Sequence, residues 1–338
     1  MAIVRLTSGT GAGTTVPPAE GASGCEEART YAACLERAMA GDAQAQLRLA
    51  EAYDGGEGVP EDDTAAAEWY RRAAEQGLAD AQFQLATLYD TGRGLSRDET
   101  LAVHWYKQAA EQGLGLAQHN LALMYLSGKG GLTRDTAEAV RWFRQAAEKG
   151  LPQAQYNLGV AYEAGEGVSR DDAEAARWYE LAAAAGQAAA QYRLATLYAA
   201  GTGVAKNFGE AMRWFREAAE QGDADAQNDL ALMYDTGQGV AENDAEAVRW
   251  FRRAAAGGNA SAQYNLGLMY ANGDGVRADD TRAYMWLTVA AAGTNRIDRA
   301  PLEKVAERLS PAARAAADRL ARTCRDTAFK ECGEPADP

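Results

Sequence analysis

The chain has 338 residues, 47% apolar and 24% charged, with a formal net charge of -14. That balance belongs to a folded chain and not to a disordered one. The acidity argues against nucleic-acid and anionic-lipid partners, which need a basic footprint, and the lack of any long unbroken apolar run excludes insertion of a helix into a membrane.

The opening stretch, MAIVRLTSGTGAGTTVPPAEGASG, holds one Arg and few apolar residues before Thr, Gly and Pro take over. It lacks the apolar core of a signal peptide. An exported protein would therefore need a signal upstream of this start, or one already removed; otherwise the chain is cytoplasmic. Residues 1–24 are expected to form a flexible arm. Residues 25–41 read as an N-terminal capping helix, since EEARTYAACLERAMA matches the second helix of the repeat that follows, with Ala33 in the place of its Trp.

From residue 42 to 293 one sentence is rewritten seven times. Trp69, Trp105, Trp142, Trp178, Trp214, Trp250 and Trp286 are spaced by 36 residues, with a single step of 37. Gln46, Gln82, Gln118, Gln155, Gln191, Gln227 and Gln263 keep the same beat, as do Tyr53, Tyr89, Tyr125, Tyr162, Tyr198, Tyr234 and Tyr270. The extra residue falls in the loop SGKGGLTRD, where an insertion costs little.

Each unit predicts two helices. In the first, Ala45, Leu49 and Tyr53 repeat at helical period and make one apolar face. A Gly pair such as Gly56 and Gly58 ends it. The second helix opens on Asp62, Asp98, Asp135, Asp171, Asn207, Asn243 or Asp279, all favoured N-caps, and Glu138, Glu174, Glu210 and Glu246 follow three residues on as in a capping box. Its buried face carries a central Ala, the Trp and an Ala-Ala pair. Gly77, Gly113, Gly150, Gly186, Gly222 and Gly258 stop it. Units this short cannot bury their own faces, so they must stack. The expected fold is an all-α, α/α solenoid of seven helix-turn-helix repeats of about 36 residues with helical caps. Residues 294–338 complete it as C-terminal capping helices and a Cys-containing tail.

The period, the loop glycines and the frame "AQ..L...Y..G.GV..D...A..W...AA..G" resemble Sel1-like repeats, relatives of the tetratricopeptide repeat, over roughly residues 42 to 293. AYMWLTVAAAG followed by LEKVAERLSPAARAAADRLARTC is similar to the end of bacterial arrays of this type. The resemblance implies a right-handed superhelix that binds a protein or peptide as a scaffold or adaptor, in some relatives in envelope biogenesis, polysaccharide secretion or host contact. It also implies that the first helices line a concave groove.

Placed on a helical wheel with Ala45 at zero, the slot of residue 47 lies at about 200° and that of residue 48 at about 300°, away from the buried side. These slots vary from unit to unit: Leu47, Phe83, His119, Tyr156, Tyr192, Asn228 and Tyr264 in one, Arg48, Gln84, Asn120, Asn157, Arg193, Asp229 and Asn265 in the other. Aromatic rings beside amide and guanidinium donors suit recognition of an extended peptide. The expected partner-binding residues on the concave face are Asn120, Tyr156, Asn157, Tyr192, Arg193, Tyr264 and Asn265. A Tyr in this slot has a structural alternative, packing against a neighbouring helix.

No catalytic residue, metal site or cofactor is expected. His104 and His119 fill slots that vary by repeat drift and have no nucleophile or metal partner in sequence. ANGDGV from Ala271 lacks the spaced acidic ligands of a calcium loop. The Arg column of Arg141, Arg177, Arg213 and Arg249 sits three residues after Glu138, Glu174, Glu210 and Glu246, a self-neutralising face more than an anion track. Two rival readings are a weak hydrolase like the β-lactamase-like, Cys-rich Sel1 proteins, whose paired cysteines in each unit are missing here, and a secreted effector. The chain is expected to act as a monomer.

Cys25, Cys34, Cys324 and Cys332 all lie outside the repeats, which suggests oxidised staples at the two ends and a periplasmic or secreted home. Residues eight or nine apart on a straight helix lie roughly 12–13.5 Å apart along its axis, whereas bridged Cα atoms lie within about 7 Å, so each local pair needs a bend. Gly333 and Pro335 supply one near Cys324 and Cys332, and Cys25 can precede its helix beside Gly24. The tail LARTCRDTAFKEC resembles Cys-containing tails of exported Sel1-type proteins. Free thiols in a cytoplasmic protein remain the alternative.

Overall fold

A computed structural model describes residues 28–293, 298–329 and 332. The expected arm, and Cys25 with it, lies outside the described residues. Among those described there are seventeen helices and no strand. The capping helix α1 runs Ala28–Met39. The first helices of the seven repeats are α2 (Ala43–Gly55), α4 (Ala79–Thr91), α6 (Gly115–Ser127), α8 (Pro152–Ala164), α10 (Ala188–Ala200), α12 (Ala224–Thr236) and α14 (Ala260–Asn272). Between them come the second helices α3 (Asp63–Glu75), α5 (Glu99–Glu111), α7 (Thr136–Glu148), α9 (Asp172–Ala184), α11 (Phe208–Glu220), α13 (Asp244–Ala256) and α15 (Asp280–Gly293). Two more, α16 (Ala300–Arg308) and α17 (Pro311–Asp326), follow the last repeat.

The chain divides into two compact units, residues 1–170 and 171–338. In the first, α1 to α8 pack in chain order, each on the next; in the second, α9 to α15 do the same, and α16 and α17 both pack on α15. The fold is an α/α solenoid, as the repeat predicted.

Local chemistry sets the helix ends. Asp62, Asp98, Asp171 and Asn207 each accept two backbone N–H bonds from the first turn, and Asp135 and Asn243 accept one. The capping box does not close, however. The backbone N–H of Asp62, Asp98, Asp135, Asn207 and Asn243 is already taken by a Tyr carbonyl of the preceding helix, as in Asp135 to Tyr125 at 3.0 Å and Asn243 to Tyr234 at 2.9 Å. The glutamates turn instead to the arginines three residues on, Glu210 to Arg213 at 2.9 Å and Glu174 to Arg177 at 3.5 Å. The arginines in turn lie over the tryptophans, Arg213 at 3.9 Å from the Trp214 ring. The Arg column is thus neutralised, as its spacing predicted.

The second glycine of the loop pair has a task that conformation alone does not reveal. A Cβ on Gly167 would collide with the Thr136 carbonyl, and one on Gly203 with the Asp172 carbonyl. These glycines let the loop of one repeat rest on the first turn of the second helix in the repeat before it, with φ values of 73° and 70°.

The core is Ala packed beside large aromatics. Trp142, Trp178, Trp214, Trp250 and Trp286 are buried, and Trp69 and Trp105 half-buried. Trp69 touches both the cluster of Ala38, Ala45 and Leu49 and that centred on Tyr70 and Leu85, so it joins the cap to the first two repeats. Through this core runs a column of buried amides. Gln46, Gln82, Gln118, Gln155, Gln191, Gln227 and Gln263 each donate Nε2–H to a carbonyl eight residues back, at 2.9–3.2 Å. That carbonyl lies in the last turn of the preceding helix, where it also accepts the N–H of the glycine three residues on, as Ala183 does from Gly186 at 2.9 Å. In three places a Gln at the end of the following second helix donates to the same amide's oxygen: Gln76 to Gln46, Gln112 to Gln82 and Gln221 to Gln191, each at 2.7 Å.

At the C-terminus, Cys324 and Cys332 are bridged, with Cα atoms 4.4 Å apart. A bend lies at Ala328 and Phe329, whose φ values are 50° and 66°; Gly333 and Pro335, expected to end the helix nearby, lie outside the described residues. Cys34 is also disulfide-bonded; Cys25, the partner expected for it, lies outside the described residues.

Replacing Gln191 by Leu removes the Nε2 bond to the Ala183 carbonyl, which keeps the Gly186 N–H as a donor at 2.9 Å, and takes away the acceptor of Gln221; the change is expected to cost about 0.5–1.5 kcal/mol. Urea melts of the two proteins measure it; a variant as stable as the parent would mean that the amide column carries no net stability.

Candidate functional site

The wheel placed the slot of residue 47 away from the core, and the structure corrects that. Leu47, His119, Tyr156 and Asn228 are buried, and Phe83, Tyr192 and Tyr264 half-buried. The reason is that a first helix is covered on two sides. One side meets the preceding second helix. The other meets its own, where the slot's ring packs on the residue after the Trp: Phe83 on Tyr106 at 5.8 Å, His119 on Phe143 at 5.4 Å and Tyr192 on Phe215 at 5.8 Å. A wheel calibrated on one buried side does not register the second.

The slot of residue 48 is more open. Asn120, Arg193, Asp229 and Asn265 are half-buried, while Asn157 is buried, 7% exposed. Asn120 hydrogen-bonds the Tyr106 hydroxyl. Of the seven expected binding residues, Asn120, Tyr192, Arg193, Tyr264 and Asn265 therefore retain some exposed surface, whereas Tyr156 and Asn157 are enclosed in the free chain.

His119 is 1% exposed, and neither ring nitrogen has a hydrogen-bond partner. Burial pushes its imidazole down from the ordinary 6.5 to about 4. His104 is exposed, its ring edge-on to Trp105 at 5.0 Å. Among the described residues no cluster of His, Cys, Asp or Glu could hold a metal ion, and no helix is long and apolar enough to cross a membrane.

Two clefts stand out, one in each unit. The first, about 550 Å³, lies against second helices α5 and α7 and is edged by Lys107, Glu111, Arg141 and Lys149. Its charges are of both signs, and Lys149 donates to the Gly113 carbonyl. The second, about 480 Å³, lies between first helices α10 and α12. Thr196, Ala199 and Ala200 form one wall, Leu232 and Met233 the other, with Phe208 and Phe215 from α11. Asp229 also lines it. Tyr192, one of the expected binding residues, is hydrogen-bonded to the Asp229 carboxylate, and Asn228 donates to it at 3.0 Å. Burial raises the Asp229 carboxyl above its usual range, with the charges of Asp225 and Asp223 adding to the rise.

The sequence reading missed this cleft, although signals for it are present. The first residue of the second helix is Asp63, Glu99, Thr136, Asp172, Asp244 or Asp280 elsewhere, and Phe208 here. The slot of Asp229 otherwise holds an amide or Arg.

The buried His119 makes an acid-sensitive point in the first unit. Its folded pKa lies below its unfolded value, so above about pH 6.5 both states are neutral and nothing is lost. As pH falls from there, the unfolded chain binds the proton first, and stability drops by about 1.4 kcal/mol per pH unit until about pH 4. His119→Phe, the residue type of the matching slot at Phe83, is expected to remove that component. The difference between the two proteins' urea-melt stabilities at pH 7 and pH 4.5 should approach about 2–3 kcal/mol; equal pH profiles would refute the assignment.

The Sel1 repeat model matches seven consecutive segments, residues 43–78, 79–114, 115–151, 152–187, 188–223, 224–259 and 260–295. Among solved structures, the chain is similar to a Sel1 repeat protein from Oxalobacter formigenes, with 35% identity over 79% of this chain and 77% of that one and a TM-score of 0.63. It is also similar to a protective antigen present in uropathogenic Escherichia coli strains and displaying an SLR fold, with 25% identity over 92% and 91% of the two chains and a TM-score of 0.54. No curated protein matches the chain.

Proposed function

The chain belongs to the Sel1 repeat family, and from that premise we propose that it is a non-catalytic scaffold which binds a protein or peptide on the face formed by its first helices. Proteins built from this repeat are generally protein-interaction scaffolds. The observation that carries the reading is the contrast between a constant frame and a varied face. Ala, Leu and Gln hold the same buried places from repeat to repeat and Trp a buried or half-buried one, while the partly open slot of residue 48 runs through Arg, Gln, Asn and Asp. Packing dictates the first set and leaves the second to recognition. Among the expected residues, Asn120, Tyr192, Arg193, Tyr264 and Asn265 have the exposure to meet a partner directly. Tyr156 and Asn157 support the face from beneath.

The test is capture of a partner from extract of the native organism, followed by affinity measurement with the triple variant Arg193→Ala, Tyr264→Ala and Asn265→Ala. Loss of a few kcal/mol, the scale of interface hot spots, is expected in a variant with unchanged circular dichroism. Unchanged affinity moves the site to the second-helix side or the loops.

We also infer that the chain works in an oxidising compartment, periplasmic or extracellular, because bridged cysteines persist there and are rare in the reducing cytosol. Thiol titration of natively expressed, unreduced protein should find Cys324 and Cys332 blocked. Reactive thiols at both would place the protein in a reducing compartment.

A further inference from the structure

The cleft between α10 and α12 joins an apolar lining to a partly buried carboxylate, Asp229. It opens because α10 ends in small residues. Where α10 has Thr196, Ala199 and Ala200, α6 has Leu123, Leu126 and Ser127, and α8 has Val160, Glu163 and Ala164. The space this leaves is lined by Phe208, Phe215, Leu232 and Met233, so it accepts an apolar group. Phe208 is held in place by Lys206, whose ammonium lies 4.7 Å from the ring centroid.

The charge on the α12 wall of the cleft is one-sided. Helix α12 carries Asp225, Asp229 and Asp235 after its N-cap Asp223 and has no Lys or Arg; α14 has no charged residue at all. Asp235 is pressed further by Asp244, Asp274 and Glu242. Arg193 on α10 has an interaction of its own. Asp229 receives neutral donors, the Tyr192 hydroxyl and the Asn228 amide, and its charged neighbours are other carboxylates.

These features narrow the occupant. An anion is repelled, and so is a second copy of a chain with net charge -14. A purely apolar ligand would cover Asp229 and strip its water without supplying a counter-charge, which costs free energy. A ligand with an apolar side chain next to a cationic one satisfies both the cavity and the carboxylate. Resting on the scaffold reading above, we propose that the α10–α12 cleft is the specificity pocket of the first-helix face, and that it takes a basic peptide segment whose aromatic or aliphatic side chain enters the cleft while an adjacent Lys or Arg pairs with Asp229.

The experiment is fluorescence anisotropy with the full chain and three labelled octapeptides: Gly-Ser-Gly-Phe-Arg-Lys-Gly-Ser, the same with Ser in place of Phe, and the same with Glu-Glu in place of Arg-Lys. The first is expected to bind, and each control to bind at least about ten-fold more weakly, the scale of one buried ring or one charge-assisted hydrogen bond. Ala200→Leu fills the cleft from an exposed helical position, and Asp229→Asn removes its charge. Either change should weaken the first peptide about ten-fold or more, whereas Asp225→Asn should change it by less than about three-fold. Equal binding of the peptide without Phe reduces the site to diffuse electrostatics and overturns the proposal, as does failure of the first peptide to bind. Both readouts use the unaltered protein and do not depend on a variant folding. A natural partner lost by the triple variant of the scaffold test but retained by Ala200→Leu and Asp229→Asn would leave the scaffold standing and sink the cleft assignment.

Discussion

The stack depends on one polar contact repeated seven times, the Gln amide that reaches from the start of a first helix to the carbonyl at the end of the second helix before it. Apolar packing alone does not fix how far one helix slides along another, because Ala and Leu surfaces are nearly interchangeable along the axis. A buried side-chain amide without a partner is expensive, and the partner here is that carbonyl. Only one axial setting brings the amide to it, so the Gln column sets register where the Trp and Ala residues supply burial. The seven amides therefore repeat for the same reason the tryptophans do, although they contribute specificity more than area.

The loops follow from that register. With the helices held in one setting, the second glycine of each loop from Gly94 onward meets the first turn of the preceding second helix so closely that a Cβ has no room, as at Gly167 and Gly203. The Tyr carbonyl at the end of the first helix takes the N–H of the next N-cap. This frees the glutamate of the supposed capping box to pair with Arg, and the Arg covers the Trp. Exposed pairs of this kind contribute little stability each, but they keep the second-helix face neutral and wet. Net negative charge is left to accumulate on the first-helix side around α12.

Function in such a molecule comes from departures. A strictly repeated sequence would present the same surface seven times and could not choose a partner. Here the departures cluster around α10 to α12: small residues at the end of α10, Phe208 in a place held by acids or Thr, and Asp229 in a place held by amides or Arg. Each is unremarked in isolation. Together they make a cavity with a partly buried carboxylate on its edge, and Tyr192, chosen from sequence as a binding residue, turns out to hydrogen-bond that carboxylate.

Periodicity by itself determined the helix pairs, their caps and their glycine stops, and the stacking of seven units, because these are local consequences of 3.6-residue geometry repeated in phase. Spacing also gave the Glu–Arg neutralisation, which needs only residues three apart on one helix. The tertiary structure decided what depends on neighbours distant in sequence. The slot of residue 47 is enclosed because a second wall, the repeat's own second helix, closes over it, as His119 against Phe143 shows. The cap N–H is spent on a Tyr carbonyl from another helix, so a valid local motif does not form. The bend that lets Cys324 meet Cys332 falls at Ala328 and Phe329, residues with no intrinsic preference for positive φ. The α10–α12 cleft is a volume, fixed by what side chains on three helices fail to fill, and no window of one helix's length contains all of them.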